Sequence, residues 1–106
     1  MLSDISGRYS VEFNYQGIDG TLKVKEKGTN VSVIMEVCLE NLCSNYELIE
    51  RIKVLRGRYF GGKMKLKTAR GSWPNETRLR ASISSDTARI IGFFAPYTFE
   101  GNRVSD

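Results

Sequence analysis

From Gly7 onward, apolar residues occupy every second position: Tyr9, Val11, Phe13 and Tyr15 alternate with Arg8, Ser10, Glu12 and Asn14. A period of two is the signature of a half-buried strand, because successive side chains leave opposite faces of the backbone. Gln16-Gly17-Ile18-Asp19-Gly20 supplies turn chemistry, and Leu22 and Val24 then alternate with Lys23 and Lys25, which predicts a hairpin. With residues 16 to 19 as its loop, Phe13 faces Leu22, Val11 faces Val24 and Tyr9 faces Glu26. A next turn at Gly28-Thr29 sets Val24 against Val33, Leu22 against Met35 and Glu26 against Val31, so the apolar faces agree through three strands.

Residues 44 to 56 admit two readings. Ser44-Asn45-Tyr46-Glu47 is a capping box, Leu48, Ile49, Ile52 and Leu55 have helical spacing, and Gly57 is a suitable stop, which together describe a helix and an α+β fold. A two-residue turn at Glu40-Asn41 instead sets Leu39 against Leu42, Cys38 against Cys43, Met35 against Tyr46 and Val33 against Leu48. Every inward position then matches except Glu50, and the strand is the favoured reading.

Further along, Gly61-Gly62 suits a type I′ turn that would set Tyr59 against Met64 and Gly57 against Leu66, with Lys63, Lys65 and Lys67 outward and a bulge near Gly57. Residues 71 to 76 form the longest loop. Leu79, Ala81 and Ile83 alternate with Arg78, Arg80 and Ser82, and a turn at Ser85-Asp86 matches them to Gly92, Ile90 and Ala88. After Ala95-Pro96, residues 97 to 103 make the last strand. The whole chain, 1 to 106, reads as one all-β domain: an antiparallel up-and-down meander of eight strands, closing as a small barrel because closure removes two exposed sheet edges.

At the head of the first strand, Gly7-Arg8-Tyr9 resembles the Gly-x-Trp of the lipocalin and avidin-like (calycin-type) barrels, with Tyr in place of Trp. Arg103 stands where those families carry an arginine over that aromatic ring. The resemblance covers the meander, residues 7 to 104, and implies a barrel that binds a small, largely apolar ligand in its interior.

Composition narrows the chemistry. The 106 residues include no histidine, the usual general base and metal ligand near neutral pH, and only two cysteines, too few for a four-thiolate site. No motif for catalysis, a metal, a cofactor or a nucleotide is present, and no apolar run reaches the roughly 20 residues of a membrane span. The first residues lack the features of a signal peptide, which leads to a cytoplasmic expectation with Cys38 and Cys43 reduced. In that setting the sequons at Asn30 and Asn75 carry no meaning.

Two groups of residues remain as candidate sites. The register collects Tyr9, Glu26 and Glu50 on one inward row, with Tyr46 on the same face and Trp73 near a mouth, as polar contacts for an interior ligand. The plainer alternative has Glu26 reaching water and Glu50 paired with a neighbouring base. On the outer face the same register gathers Arg56, Arg58, Lys63, Lys65, Lys67, Arg78, Arg80 and Arg89 with Phe60, Ile91 and Phe93. Residues 51 to 80 hold ten bases against one acid, whereas residues 1 to 50 hold four against eight. Such a face suits nucleic acid or another polyanion, or a second copy of the chain meeting it through Ile91 and Phe93. An enzyme using Glu26 and Glu50 as acid and base is the weakest reading, and the sequence leads to a non-enzymatic binding protein.

Overall fold

The computed structural model of the protein describes residues 4–28, 30–49, 58–69 and 72–105, and the backbone of 52–53. It is all-β. The strands are β1 (Gly7–Phe13), β2 (Ile18–Lys27), β3 (Asn30–Leu39), β4 (Leu42–Leu48), β5 (Ile52–Lys53), β6 (Tyr59–Thr68), β7 (Glu76–Ile83), β8 (Arg89–Phe94) and β9 (Tyr97–Ser105). Eight of them form an antiparallel meander in which β9 returns to β1, while the two-residue β5 continues along β3 beyond β4. The sheet is a closed barrel, so no long strand is left with a bare edge. Among the described residues no helix is long and apolar enough to cross a membrane.

Two hairpins have the expected register. Val24 pairs with Val33 and Leu22 with Met35, and across the next turn Met35 pairs with Tyr46 and Cys38 with Cys43. Glu40 and Asn41 both take positive φ, 49° and 74°, the type I′ geometry that matches strand twist. Residues 44 to 48 are therefore strand, and the helical alternative fails. Glu50, Arg51, the proposed bulge at Gly57, and Arg56 lie outside the described residues.

Two other hairpins keep the expected faces but slip in register. Tyr9 pairs with Leu22 and Val11 with Gly20, four residues from the expected partners, because the turn begins at Asn14. Asn14 exchanges two hydrogen bonds with Thr98: its N–H donates to the Thr98 carbonyl (3.0 Å), and its Oδ1 accepts from the Thr98 N–H (2.9 Å). Ile83 pairs with Ile90 rather than Ala88, since Ser84 and Asp86 organise a longer turn. Asp86 Oδ1 accepts from Ser84 Oγ (2.6 Å) and from the Ala88 N–H (3.0 Å), and Thr87 takes a φ of 62°.

The Gly61-Gly62 turn does not exist. Both glycines lie within β6, whose pairing with β7 runs unbroken from Tyr59↔Ser82 to Lys65↔Glu76. A Cβ at Gly61 would collide with the Leu79 carbonyl, so glycine here permits a close approach of two strands rather than a reversal. Inward and outward positions consequently exchange before the glycines, where Phe60 is fully buried and Tyr59 faces outward, whereas Met64 inward and Lys63 outward are as expected.

Inside the barrel, Tyr9, Leu22, Met35, Tyr46, Phe60 and Met64 pack with the inward residues of β7, β8 and β9. The start of the chain closes one end. Ile5 is buried there, and its carbonyl accepts the Tyr9 hydroxyl at 2.8 Å while its N–H donates to Glu26 Oε1 at 3.1 Å. Ser6 Oγ accepts the Glu26 N–H at 2.8 Å, and the Ser6 carbonyl accepts Arg103 Nη2 at 3.1 Å. At Gly7, with a φ of 155°, a Cβ would lie 2.6 Å from Arg103 Nε, so the glycine makes room for the arginine beside Tyr9.

Candidate ligand site at an aromatic barrel mouth

An up-and-down barrel places alternate turns at the same end. At the end away from Ile5 lie the β1–β2 turn, the β3–β4 turn, residues 72 to 75 and the β8–β9 turn at Ala95-Pro96, whose peptide bond is cis. They surround a recess of about 220 Å³ lined by Tyr15, Ile18, Leu39, Ser72, Trp73, Pro74, Phe94, Ala95, Pro96 and Tyr97. Among the described residues no charged side chain lines it.

The walls are braced by ring packing. Tyr15 and Tyr97 lie 5.4 Å apart between centroids, Phe13 meets Tyr97 edge-on at 6.3 Å, and Phe94 forms the floor against Tyr46 at 5.0 Å. Such tilted and edge-to-face pairs add to the burial energy of each ring. Tyr46 also fixes the rim: its hydroxyl donates to the Pro74 carbonyl at 2.5 Å, next to Trp73, and the Leu66 N–H donates to the Asn75 carbonyl at 2.8 Å. Burial pushes the Tyr46 phenol up to about 12, because the phenolate would lose its hydration.

Two spaces more than twice as large are less suited to a ligand. One of about 580 Å³ opens between β3 and β4, with Lys27, Asn30, Ser32 and Glu47 on its walls. Another, about 540 Å³, lies over Asp4, Arg8, Lys23, Lys25 and Glu26 on the outer surface. Both present exposed charges to solvent rather than an apolar enclosure.

The expected interior residues are dispersed. Tyr9 and Glu26 are not in one row, and both are engaged by Ile5 at the closed end. There burial raises the Tyr9 phenol, opposed by the nearby Arg103 and Arg58 guanidiniums. Tyr46 lies beneath the opposite mouth, Trp73 is on its rim, and Glu50 is outside the described residues. Tyr15, Leu39, Phe94 and Tyr97 were not anticipated as site residues. Their signal was positional, since each belongs to or adjoins a turn that a meander brings to the same end.

On the outer surface, Lys65, Lys67, Arg78, Arg80 and Arg89 are exposed and Lys63 is half-buried. Ile91 is 56% and Phe93 38% exposed. Two members of the expected basic face are instead inside: Phe60, through the absence of the Gly61-Gly62 turn, and Arg58, only 3% exposed with a φ of 64°. Lys67 and Arg89 already meet acids on the same surface, Glu47 at 3.7 Å and Glu100 at 3.8 Å.

Cys38 and Cys43, expected as free thiols, are joined in a disulfide across the β3–β4 hairpin. Their directly opposed positions bring the sulfurs together without moving the backbone.

Compared with known protein families, curated proteins and solved structures, the chain matches none. In general shape the fold is calycin-like: a small, closed, eight-stranded antiparallel barrel.

Proposed function

We propose that the protein is a non-enzymatic barrel that holds a small, largely apolar ligand at the aromatic mouth. The observation carrying this reading is the aromatic recess between Trp73, Tyr15, Leu39 and Tyr97 over the Phe94 floor, which among the described residues has no charged lining. Its 220 Å³ exceeds the roughly 150 Å³ that admits benzene and falls below the roughly 300 Å³ of pockets for drug-sized ligands. A one- or two-ring molecule fits that range. Burying about 200 Å² of such a ligand supplies about 5 kcal/mol, a dissociation constant of order 0.1 mM.

Trp73 is the chain's single tryptophan, so its emission reports on the mouth alone. Titration with 1-aminonaphthalene, neutral at pH 7, is expected to change that emission saturably. Trp73→Ala and Tyr15→Ala, followed through the probe's own fluorescence, are expected to weaken binding several-fold. Non-saturating titration, or equal binding by both variants, would refute the proposal.

A second reading, an assembly or polyanion-binding face, draws support from the exposed Arg78 and Arg80 on one strand, with Arg80 directly opposite the exposed Phe93. Basic side chains beside an exposed ring on one sheet face supply phosphate contacts and a stacking surface. Single-stranded oligonucleotide binding that falls steeply with salt and is lost in Arg78→Glu/Arg80→Glu supports it; absence of binding at low salt removes it. The disulfide favours an oxidising compartment over the cytoplasm for either reading.

A further inference from the structure

Away from the mouth recess, the outer face of the β3–β4 hairpin carries a compact set of donor atoms. Cys38 and Cys43 are directly opposite in the ladder, and Glu36, two residues before Cys38, shares their face. Glu36 Oε1 lies 3.9 Å from Cys38 Sγ, and one donor atom from each of the three residues lies within 4.8 Å of the others. Asp19 pairs with Cys38 from the other side on β2, adding a second carboxylate to the same cross-strand row. Both cysteines are half-buried and Glu36 is exposed, so the group is open to a reductant and to an ion.

Joined in a disulfide, the two sulfurs are poor ligands. As thiolates they are strong ones for soft and borderline cations. A tetrahedral zinc ion with bonds of about 2.3 Å holds two thiolates roughly 3.8 Å apart. The ladder keeps the two Cα atoms at 4.0 Å, so side-chain rotation alone spans the change from bonded sulfurs to a chelating pair. Glu36 then supplies a third donor, and the fourth position is left for water.

We propose that reduction converts this hairpin into a binding site for a thiophilic divalent cation of the zinc class, held by Cys38, Cys43 and Glu36, and that the disulfide form has no such site. The reductant is a phosphine: phosphine, disulfide and one water give phosphine oxide and two thiols. The metal then displaces one proton from each thiol, so binding releases two protons and involves no further electron transfer.

The test uses the full chain, reduced with a water-soluble phosphine and desalted without oxygen, against the untreated oxidised protein. Cd2+ is the spectroscopic probe, through its thiolate charge-transfer absorption, and Zn2+ the competitor. The expected result is one Cd2+ per reduced chain, displaced by Zn2+, with no band in the oxidised protein. Cys38→Ser is expected to abolish the band, and Glu36→Gln to keep it while weakening affinity at least tenfold. The proposal is overturned by an absent band in the reduced chain, by unchanged affinity in Glu36→Gln, or by a band that survives Cys38→Ser. Trp73 emission is recorded throughout. A reduced chain that no longer shows the barrel's emission also overturns it, because the ladder holding the donors together is then gone.

Discussion

Tyr46 joins the floor of the mouth to its rim, and Tyr46→Phe deletes one oxygen while leaving the ring on Phe94. At neutral pH the change removes the hydrogen bond to the Pro74 carbonyl, worth about 1 kcal/mol, since the exposed Pro74 can turn that carbonyl to water. The pH dependence is the sharper expectation. The phenol ordinarily titrates near 10 and burial raises it to about 12, so folding favours the neutral form. That contribution is whole below pH 10 and is lost as pH climbs from 10 towards 12. At pH 11 the wild type gives up about 1.4 kcal/mol that Tyr46→Phe, having no proton to lose there, retains. The variant should therefore unfold at lower urea than the wild type at pH 8 and at equal or slightly higher urea at pH 11. Tyr9 also has a raised phenol, but it is common to both chains and cancels in the difference. Urea unfolding followed by Trp73 emission measures it. A wild-type advantage that stays constant from pH 8 to pH 11 would refute the argument that Tyr46 is held neutral by burial.

Other perturbations test the barrel's closure. Gly101→Ala places a methyl group against the Ser10 carbonyl where β9 meets β1, and should cost about 3 kcal/mol as a lowered urea midpoint; an unchanged midpoint would show the seam to be looser than described. Ile5→Ala should cost about 2–4 kcal/mol and make Tyr9 more accessible to nitration, because Ile5 covers the closed end. Loss of the Cys38–Cys43 bond in the double serine variant releases only a short loop, with a sequence separation of 5, and should cost about 2 kcal/mol without changing Trp73 emission.

Side-chain alternation made the barrel legible but left its registers half-determined. A period of two tests parity alone: a slip of two or four residues returns every apolar residue to the same face. Tyr9 therefore met Leu22 instead of Glu26 without any clash in the pattern, and Ile83 met Ile90 instead of Ala88. Where a turn has just two residues, as at Glu40-Asn41, its chemistry removes that freedom and the register follows. Gly61-Gly62 misled for the opposite reason. Two glycines satisfy a tight turn, but they also satisfy a strand pressed against its neighbour, and the choice depends on Leu79, distant in sequence. That single reversal carried Phe60 to the wrong face. Trp73 was found because a lone indole in a long loop is conspicuous, whereas Tyr15 and Tyr97 gain meaning only once their turns are known to share an end.

The seam between β1 and β9 bears on how the barrel is reached. Within the eight-stranded meander every other pairing joins successive strands, but Arg8 waits for Ser105 and Tyr9 for Arg103, and the Ser6–Arg103 hydrogen bond spans 97 residues. Until that last strand arrives, the meander is an open sheet with two bare edges, able to pair with another copy as readily as with itself. The same adjacency makes the strand order cyclic. A short linker from residue 105 to residue 4, with new ends opened at the exposed Glu40-Asn41 turn, would present the identical ring of strands in a different order of synthesis. Comparing folding rates of the two arrangements would separate the time spent closing the seam from the time spent forming hairpins.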